Sequence, residues 1–353
     1  MSGGAGTRLR PITHTSAKQL VPVGNKPVLF YGLEAIRDAG VVEVGIVVGD
    51  TAPEVMAAVG DGSNLGLRVT YIPQEKPLGL AHAVLIAREF LGEDPFVMYL
   101  GDNFLLGGIN DLVRQFDQGN SAAQILLTKV SNPRQFGIAV LDENEKVLKL
   151  VEKPNDPPSD LALVGVYMFR SSIHQAVRAI KPSARGELEI TDAIQWLIDE
   201  GLDVSSFMVN GYWKDTGKLD DMLECNRAVL SGLTSSYSPT SVVNSEIRGV
   251  FVQDESASIE NSQIIGPVII GPKVRVKNSV LGPNVSLAEG CVIEDTTVRD
   301  SIVLSGTQIF GVRGIASSLI GKEVHVQGAN IEEGDVHLML GDHSQVRLGA
   351  VKK

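Results

Sequence analysis

Gly3, Gly4 and Gly6 place three glycines within four residues, and Thr7 and Arg8 follow at once. Glycine lets a backbone turn tightly and bring its N–H groups close to an anion. Thr7 adds a hydroxyl donor beside that turn and Arg8 a permanent cation. Residues 1–33 also hold Arg10, Lys18 and Lys26 and no Asp or Glu, in a chain whose formal net charge is -11. A positive segment in an acidic protein points to a small, highly charged anion such as a nucleoside triphosphate. The pattern is neither the Gly-Lys-Ser/Thr phosphate loop nor the G-x-G-x-x-G dinucleotide turn.

Two carboxylates stand out further along. Asp102 follows the apolar run Phe96–Leu100 after a single glycine, a poor place for packing and a good one for a cation, and Asp215 lies in Gly-Tyr-Trp-Lys-Asp-Thr-Gly. Magnesium prefers hard oxygens and commonly takes one or two carboxylates, leaving the rest to phosphates and water. Asp102 and Asp215 are therefore candidate ligands for Mg2+. Gln74, two residues past Tyr71-Ile72, carries an amide that can both donate and accept hydrogen bonds at the end of a strand.

These residues need elements to position them. Residues 27–39 read as a helix with Pro27 in its first turn and Gly40 at its end. Val44–Val48 is a short apolar run of the kind a parallel sheet buries on both faces. A helix over 52–60, a strand over 68–72, a helix over 79–91, a strand over 96–100 and a helix over 108–118 continue the alternation. The charged, amphipathic run through Trp196 to Asp199 marks a later helix. This pattern predicts a doubly wound, mostly parallel α/β domain with ligands at the carboxyl ends of its strands. Residues 231–241 are rich in turn formers and read as a linker. Beyond them the period becomes six: Ile264, Ile270 and Val276, and likewise Val268, Val274 and Val280. After a slip of one, Leu281, Leu287 and Ile293 resume beside Val285, Cys291 and Thr297. Hexapeptide repeats build a parallel β-helix. The boundaries are then 1–230, a linker at 231–241, and 242–353, whose last thirty or so residues are loosely patterned.

The motifs G-G-x-G-T-R-L-x-P and K-x-L-x-P-V-x-x-K-P resemble the opening of the sugar-1-phosphate nucleotidylyltransferases. The resemblance continues, in the same order, through P-L-G-L-A-H-A, N-P-R-Q-F-G, E-K-P, R-G-E-L-E-I-T-D and W-K-D-T-G. It implies that Gly3, Gly4, Gly6, Thr7 and Arg8 bind the nucleotide phosphates, and that Gln74 with the backbone near Gly79 reads the base. It implies a sugar-phosphate side built from Asn103, Gly137, Glu152, Lys153, Val164 and Arg185. Arg8, Lys18 and Lys153 would carry the charge stabilisation, and Asp102 and Asp215 the Mg2+. Phe136 stands where some members have Tyr. The members with a left-handed β-helix tail of about three hexads per coil are the nearest in pattern. By that resemblance the substrates are dTTP and glucose 1-phosphate, the products dTDP-glucose and pyrophosphate, and the protein a homo-oligomer. A UTP-using relative is the alternative, because Gln74 treats thymine and uracil alike.

An acidic balance argues against nucleic-acid polymers and anionic membranes as partners. Cys225 and Cys291 are too few for a disulfide scaffold and suit a reducing cytoplasm, the expected location. No apolar run is long enough to span a bilayer. A hexapeptide acyltransferase would need a histidine base, but His325, His337 and His343 lack a clear hexad context. A non-catalytic regulatory subunit would be expected to lose the arginine or the carboxylates, which this chain keeps. Every candidate site residue precedes the linker, so removal of 242 onward is expected to leave a soluble domain that carries them all. In the family a first β-strand leads into the glycine turn. The expectation is therefore a natural start several residues upstream of Met1.

Overall fold

The computed structural model describes residues 7–209, 211–328 and 335–348. Gly3, Gly4 and Gly6 lie outside the described residues, as does the side chain of Thr7. The chain forms two compact units, one running from Leu29 to Trp213. The other joins the segment ending at Val28 to the chain from Lys214 onward.

In the first unit, helix α1 (Val28–Asp38) leads to the strand Glu43–Val48, which pairs in parallel with Arg68–Pro73 across α2 (Ala52–Val59). Pro27 lies outside the helix, in a two-residue strand where it faces Pro22. The helix expected over 79–91 is interrupted at Ala87, giving α3 (Leu80–Ile86) and α4 (Arg88–Leu91). Helix α5 (Asn110–Gln118) starts later than expected, because Gly107 and Gly108 take positive φ and spend those residues on a turn.

The larger sheet is mixed. Its hub is Leu161–Phe169, whose residues from Ala162 onward are all buried. It runs antiparallel to Phe96–Tyr99, Ala123–Lys129 and Gly137–Leu141, and Val204–Met208 lies parallel to Ala123–Lys129. Helices α3, α6 (Ile173–Ala179) and α7 (Ile190–Asp199) lay Ala81, Val84, Ile173, Val177, Ile194 and Leu197 onto this sheet. Each large side chain buried there contributes about 1.5–3 kcal/mol relative to exposure. Among the described strands, Glu43–Val48 pairs only with Arg68–Pro73, and Phe96–Tyr99 only with Leu161–Phe169. An apolar cavity of about 590 Å³, lined by Leu33, Ile36, Val44, Ile46, Val97 and Phe116, adjoins both strands.

The second unit contains the expected parallel β-helix, of about six turns. Its first coils repeat every seventeen residues rather than eighteen: Ile259 stacks on Val276 and Val276 on Ile293. At one corner Asn244, Asn261, Asn278 and Asp295 adopt left-handed backbone, with φ of 47, 49, 50 and 51°. These are the residue types that tolerate that conformation best after glycine. The following Ser262, Ser279 and Thr296 turn inward, and each hydroxyl accepts the backbone N–H one coil on, at Ser279, Thr296 and Val312. Val280 and Thr297, expected in the hydrophobic ladder, are consequently only half-buried, while Leu281 and Val298 fill the core. The loosely patterned tail continues the coils: His325–Gly328 pairs with Gln345–Leu348. Helix α8 (Leu219–Ser231) packs on the β-helix strands Thr297–Val303 and Ile315–Ile320. No described helix is long and apolar enough to cross a membrane.

Candidate functional site

In the second unit, Lys18 opens a short 3-10 turn, Lys18–Leu20, and its side chain is only 7% exposed. Its Nζ lies 3.2 Å from Asp215 Oδ1, and Arg8 Nη2 approaches Oδ2 of the same carboxylate at 3.9 Å. Gly217 explains how Arg8 comes so close. A Cβ there would sit 3.0 Å from Arg8 Nη2, so the glycine of the Asp-Thr-Gly run leaves room for the guanidinium. Asp215 thus gathers the two cations that sequence assigned to the phosphates, a role spacing alone did not show.

In the first unit three clusters form. Gln74 directs its Nε2 at His82 Nδ1, 2.9 Å away, and at the Gly79 carbonyl, 3.5 Å away. His82 was not singled out from the sequence, though it lies inside the P-L-G-L-A-H-A run. Gly79 has φ of 102°, and a Cβ on it would meet the Leu188 carbonyl at 2.4 Å. Leu188 N–H donates to the Leu78 carbonyl, and Ala81 N–H to that of Leu188. The segment expected to read the base is therefore stitched to the Arg-Gly-Glu-Leu-Glu segment.

Asp102 accepts from Asn103 Nδ2 at 3.2 Å. The Oδ1 of Asn103 in turn accepts Gly165 N–H and Trp213 Nε1–H, at 3.1 and 2.7 Å. Asn103 was expected to contact the sugar phosphate; it is 5% exposed, and its amide is committed to orienting Asp102 and closing the strand at Gly165. A Cβ on Gly165 would strike Asn103 at 2.7 Å, and a glycine inside an apolar strand was the signal for that close approach. Val164, one residue before, is fully buried where the pairing of Leu161–Phe169 with Ala123–Lys129 shifts register.

Glu152 is the centre of the third cluster. Its carboxylate lies 3.3 Å from Lys153 Nζ and 3.4 Å from Arg185 Nη1, and Thr191 Oγ1 donates to it at 3.2 Å. Gly137 pairs with Glu152 across the strands, and a Cβ on it would meet Thr191 at 2.6 Å. Arg185, expected on the sugar phosphate, lies among Glu152, Glu187 and Glu189. Burial raises the pKa of Glu189, against a lowering hydrogen bond from Ser183. Lys153 itself has φ of 40°, with its N–H donating to the Phe136 carbonyl. A non-glycine residue in left-handed backbone costs on the order of 1–3 kcal/mol and is found where surroundings demand it, often at functional sites. Phe136 packs edge-on against Trp213, ring centroids 5.6 Å apart.

Among the described residues no group of three His, Cys, Asp or Glu side chains is placed to hold a metal by itself. Asp102 and Asp215 supply hard oxygens of the kind magnesium takes when phosphates and water complete its shell. Of the histidines considered for acyl transfer, His325 packs against the Phe310 ring, and its backbone joins the coil ladder.

Residues 1–232 match the model of a family described as Nucleotidyl transferase. The chain is 58% identical over 350 residues to a glucose-1-phosphate thymidylyltransferase of Streptomyces griseus, covering 99% of both chains. It is 44% identical over 353 residues to the low-salt glycan biosynthesis nucleotidyltransferase Agl11 of Haloferax volcanii, again covering 99% of each. Among solved structures it resembles one described as a glucose-1-phosphate thymidylyltransferase from Bacillus anthracis in complex with a sucrose. There the TM-score is 0.61 at 32% identity, over 67% of this chain and 95% of that one. A UDP-glucose pyrophosphorylase complexed with UDP-glucose, at 24% identity and a TM-score of 0.58, shares the fold over 66% of this chain and 97% of that one.

Proposed function

Because the chain belongs to the nucleotidyl transferase family, we propose that it transfers a thymidylyl group from dTTP to glucose 1-phosphate, forming dTDP-glucose and pyrophosphate. The observation that carries this reading is the convergence of buried Lys18 and of Arg8 on Asp215, a cation pair prepared for a polyphosphate. The 58% identity along the whole length of the Streptomyces griseus enzyme favours these two substrates.

An oxygen of the sugar phosphate attacks the α-phosphorus in line and pyrophosphate leaves, so atoms balance without a covalent enzyme intermediate. The protein supplies positioning and charge neutralisation. Arg8 holds the leaving pyrophosphate, and Lys18 offsets charge there or at the α-phosphate. Lys153 orients the attacking phosphate, and Glu152 accepts from sugar hydroxyls. Gln74, braced by His82, presents its amide to the imide edge of the base. Asp102 and Asp215 would hold Mg2+, which when bound neutralises phosphate charge as a Lewis acid. A reaction fed by dTTP is expected in the cytoplasm.

Pyrophosphate release from dTTP plus glucose 1-phosphate tests the proposal, with UTP in a parallel arm. Release with dTTP at higher kcat/KM than with UTP is expected. No release with either nucleotide would overturn it, and a preference for UTP would reassign the base.

A further inference from the structure

We infer that Asp342, on the last described coil of the β-helix, is a positioning residue for the phosphate-binding segment. The inference rests on the reading of Arg8 and Lys18 given above. Residues 7–20 are built from three isolated 3-10 turns, Thr7–Leu9, Ile12–His14 and Lys18–Leu20. Single turns of this kind hold themselves weakly, since each closes few hydrogen bonds of poor geometry. Besides the pairing of Lys18 with Asp215, contacts from outside the segment must help fix its place.

The β-helix does this at two points, both inside the second compact unit. At the first, Thr15 Oγ1 donates to Asp342 Oδ2 at 2.7 Å, and Ser16 Oγ reaches the same oxygen at 3.5 Å. Thr15 Oγ1 also lies 3.4 Å from the Ile12 carbonyl, but the carboxylate is nearer and the stronger acceptor. The other oxygen of Asp342 accepts Lys322 N–H at 2.8 Å, so the coil beneath holds the carboxylate in place. Gly341 brings the coil against Pro11: a Cβ there would stand 3.1 Å from Pro11 Cβ and 3.2 Å from its carbonyl oxygen. At the second point, Asn25 Nδ2 donates to the Leu287 carbonyl at 2.8 Å. Gly24 N–H and Ser286 Oγ both donate to Asn226 Oδ1, at 2.8 and 2.6 Å. Lys18 lies between these anchors, two residues past Ser16. The β-helix is thus part of the scaffold of the triphosphate site.

Steady-state kinetics on full-length Thr15→Val, Asp342→Ala and the double variant tests this, with hydrogen exchange of the backbone over residues 11–20. Thr15→Val leaves the Asp342–Lys322 bond intact, which separates the anchor from the folding of the last coil. Each single variant should raise KM for dTTP on the order of three- to tenfold, the scale of one partly exposed charge-assisted bond. KM for glucose 1-phosphate should stay unchanged, exchange over 11–20 should quicken, and the double variant should be no worse than the poorer single. Thr15→Ser should restore the wild-type values. Unchanged exchange and KM in Thr15→Val, or losses that multiply in the double variant, would overturn the anchor. A wild-type enzyme inactive on dTTP would instead refute the substrate reading, and the exchange data would still decide whether Asp342 holds the segment.

Discussion

Asp215 and Asp102 looked equivalent as two carboxylates in matching motifs, but their surroundings differ. Asp215 is paired with Lys18 and Arg8, whereas Asp102 accepts from the amide of Asn103. Asp102→Asn keeps an oxygen facing that amide, so its cost should fall on chemistry. We expect turnover lower by roughly 10²-fold, the scale for losing one charge-stabilising contact, with little change in melting temperature. Asp215→Asn should lose turnover and also stability. It keeps an acceptor oxygen but removes the negative charge opposite a lysine that is 7% exposed, and hydrogen bonds to charged groups contribute about 1.5–3 kcal/mol. Thermal melts beside pyrophosphate release at several magnesium concentrations would separate the two. An Asp215→Asn protein melting like wild type, with its dTTP KM intact, would remove Asp215 from the role of organising the cations.

Elements carry the next constraint, and the turn before α3 shows it best. Gly79 combines a positive φ with an approach to the Leu188 carbonyl that leaves no room for a side chain. Gly79→Ala must therefore either strain its own backbone or part Leu78–Ala81 from Leu188. The strain alone is about 1–3 kcal/mol, which for a domain of this size is roughly 2–10 °C in melting temperature. Because Gln74 reaches toward the Gly79 carbonyl, the KM for dTTP should rise with it. An alanine variant with wild-type melting and wild-type KM would show that the junction can open without cost.

The whole molecule divides differently from the order of its motifs. Helix α8 and the Pro22–Pro27 turn precede the Ser/Thr-rich stretch, yet both belong to the unit that contains the β-helix. Within that unit Arg227 forms a two-pronged pair with Asp300, and Asn226 receives the Ser286 hydroxyl. A chain ended before Val242 would lose Asp300, Ser286, Leu287 and Asp342 together. In place of the soluble, fully equipped domain expected from the motifs, the fragment should aggregate or bind dTTP far more weakly than the full chain. Calorimetric titration of the fragment with dTTP would check it. A stable fragment with full affinity would show that the segment 7–28 holds its own shape.

Much of this was legible because it is local. Apolar runs bounded by turn residues marked Glu43–Val48, Arg68–Pro73 and Phe96–Tyr99. The six-residue aliphatic period marked the β-helix, since each coil repeats one environment and so one residue type. Arg8, Lys18 and Asp102 were likewise visible by type and spacing, and Gln74 and Glu152 through the family motifs they stand in. Their partners were not, because those partners are distant in sequence. Lys18 and Asp215 stand 197 residues apart, and Thr15 and Asp342 stand 327 apart. Asn103 shows the difference within a single side chain. The family resemblance suggested a sugar contact, whereas Gly165 and Trp213, brought to it only by the folded chain, turn its amide inward. The seventeen-residue coil is the same lesson at larger scale. Asn244, Asn261 and Asn278 stand in the sequence at that spacing, but only stacked coils make left-handed corners of them, with the next hydroxyl turned in to meet a backbone N–H. Sequence by itself determined which residue types and periods were present. Tertiary structure decided which of them point at one another, because a side chain's partner is set by where the backbone carries it.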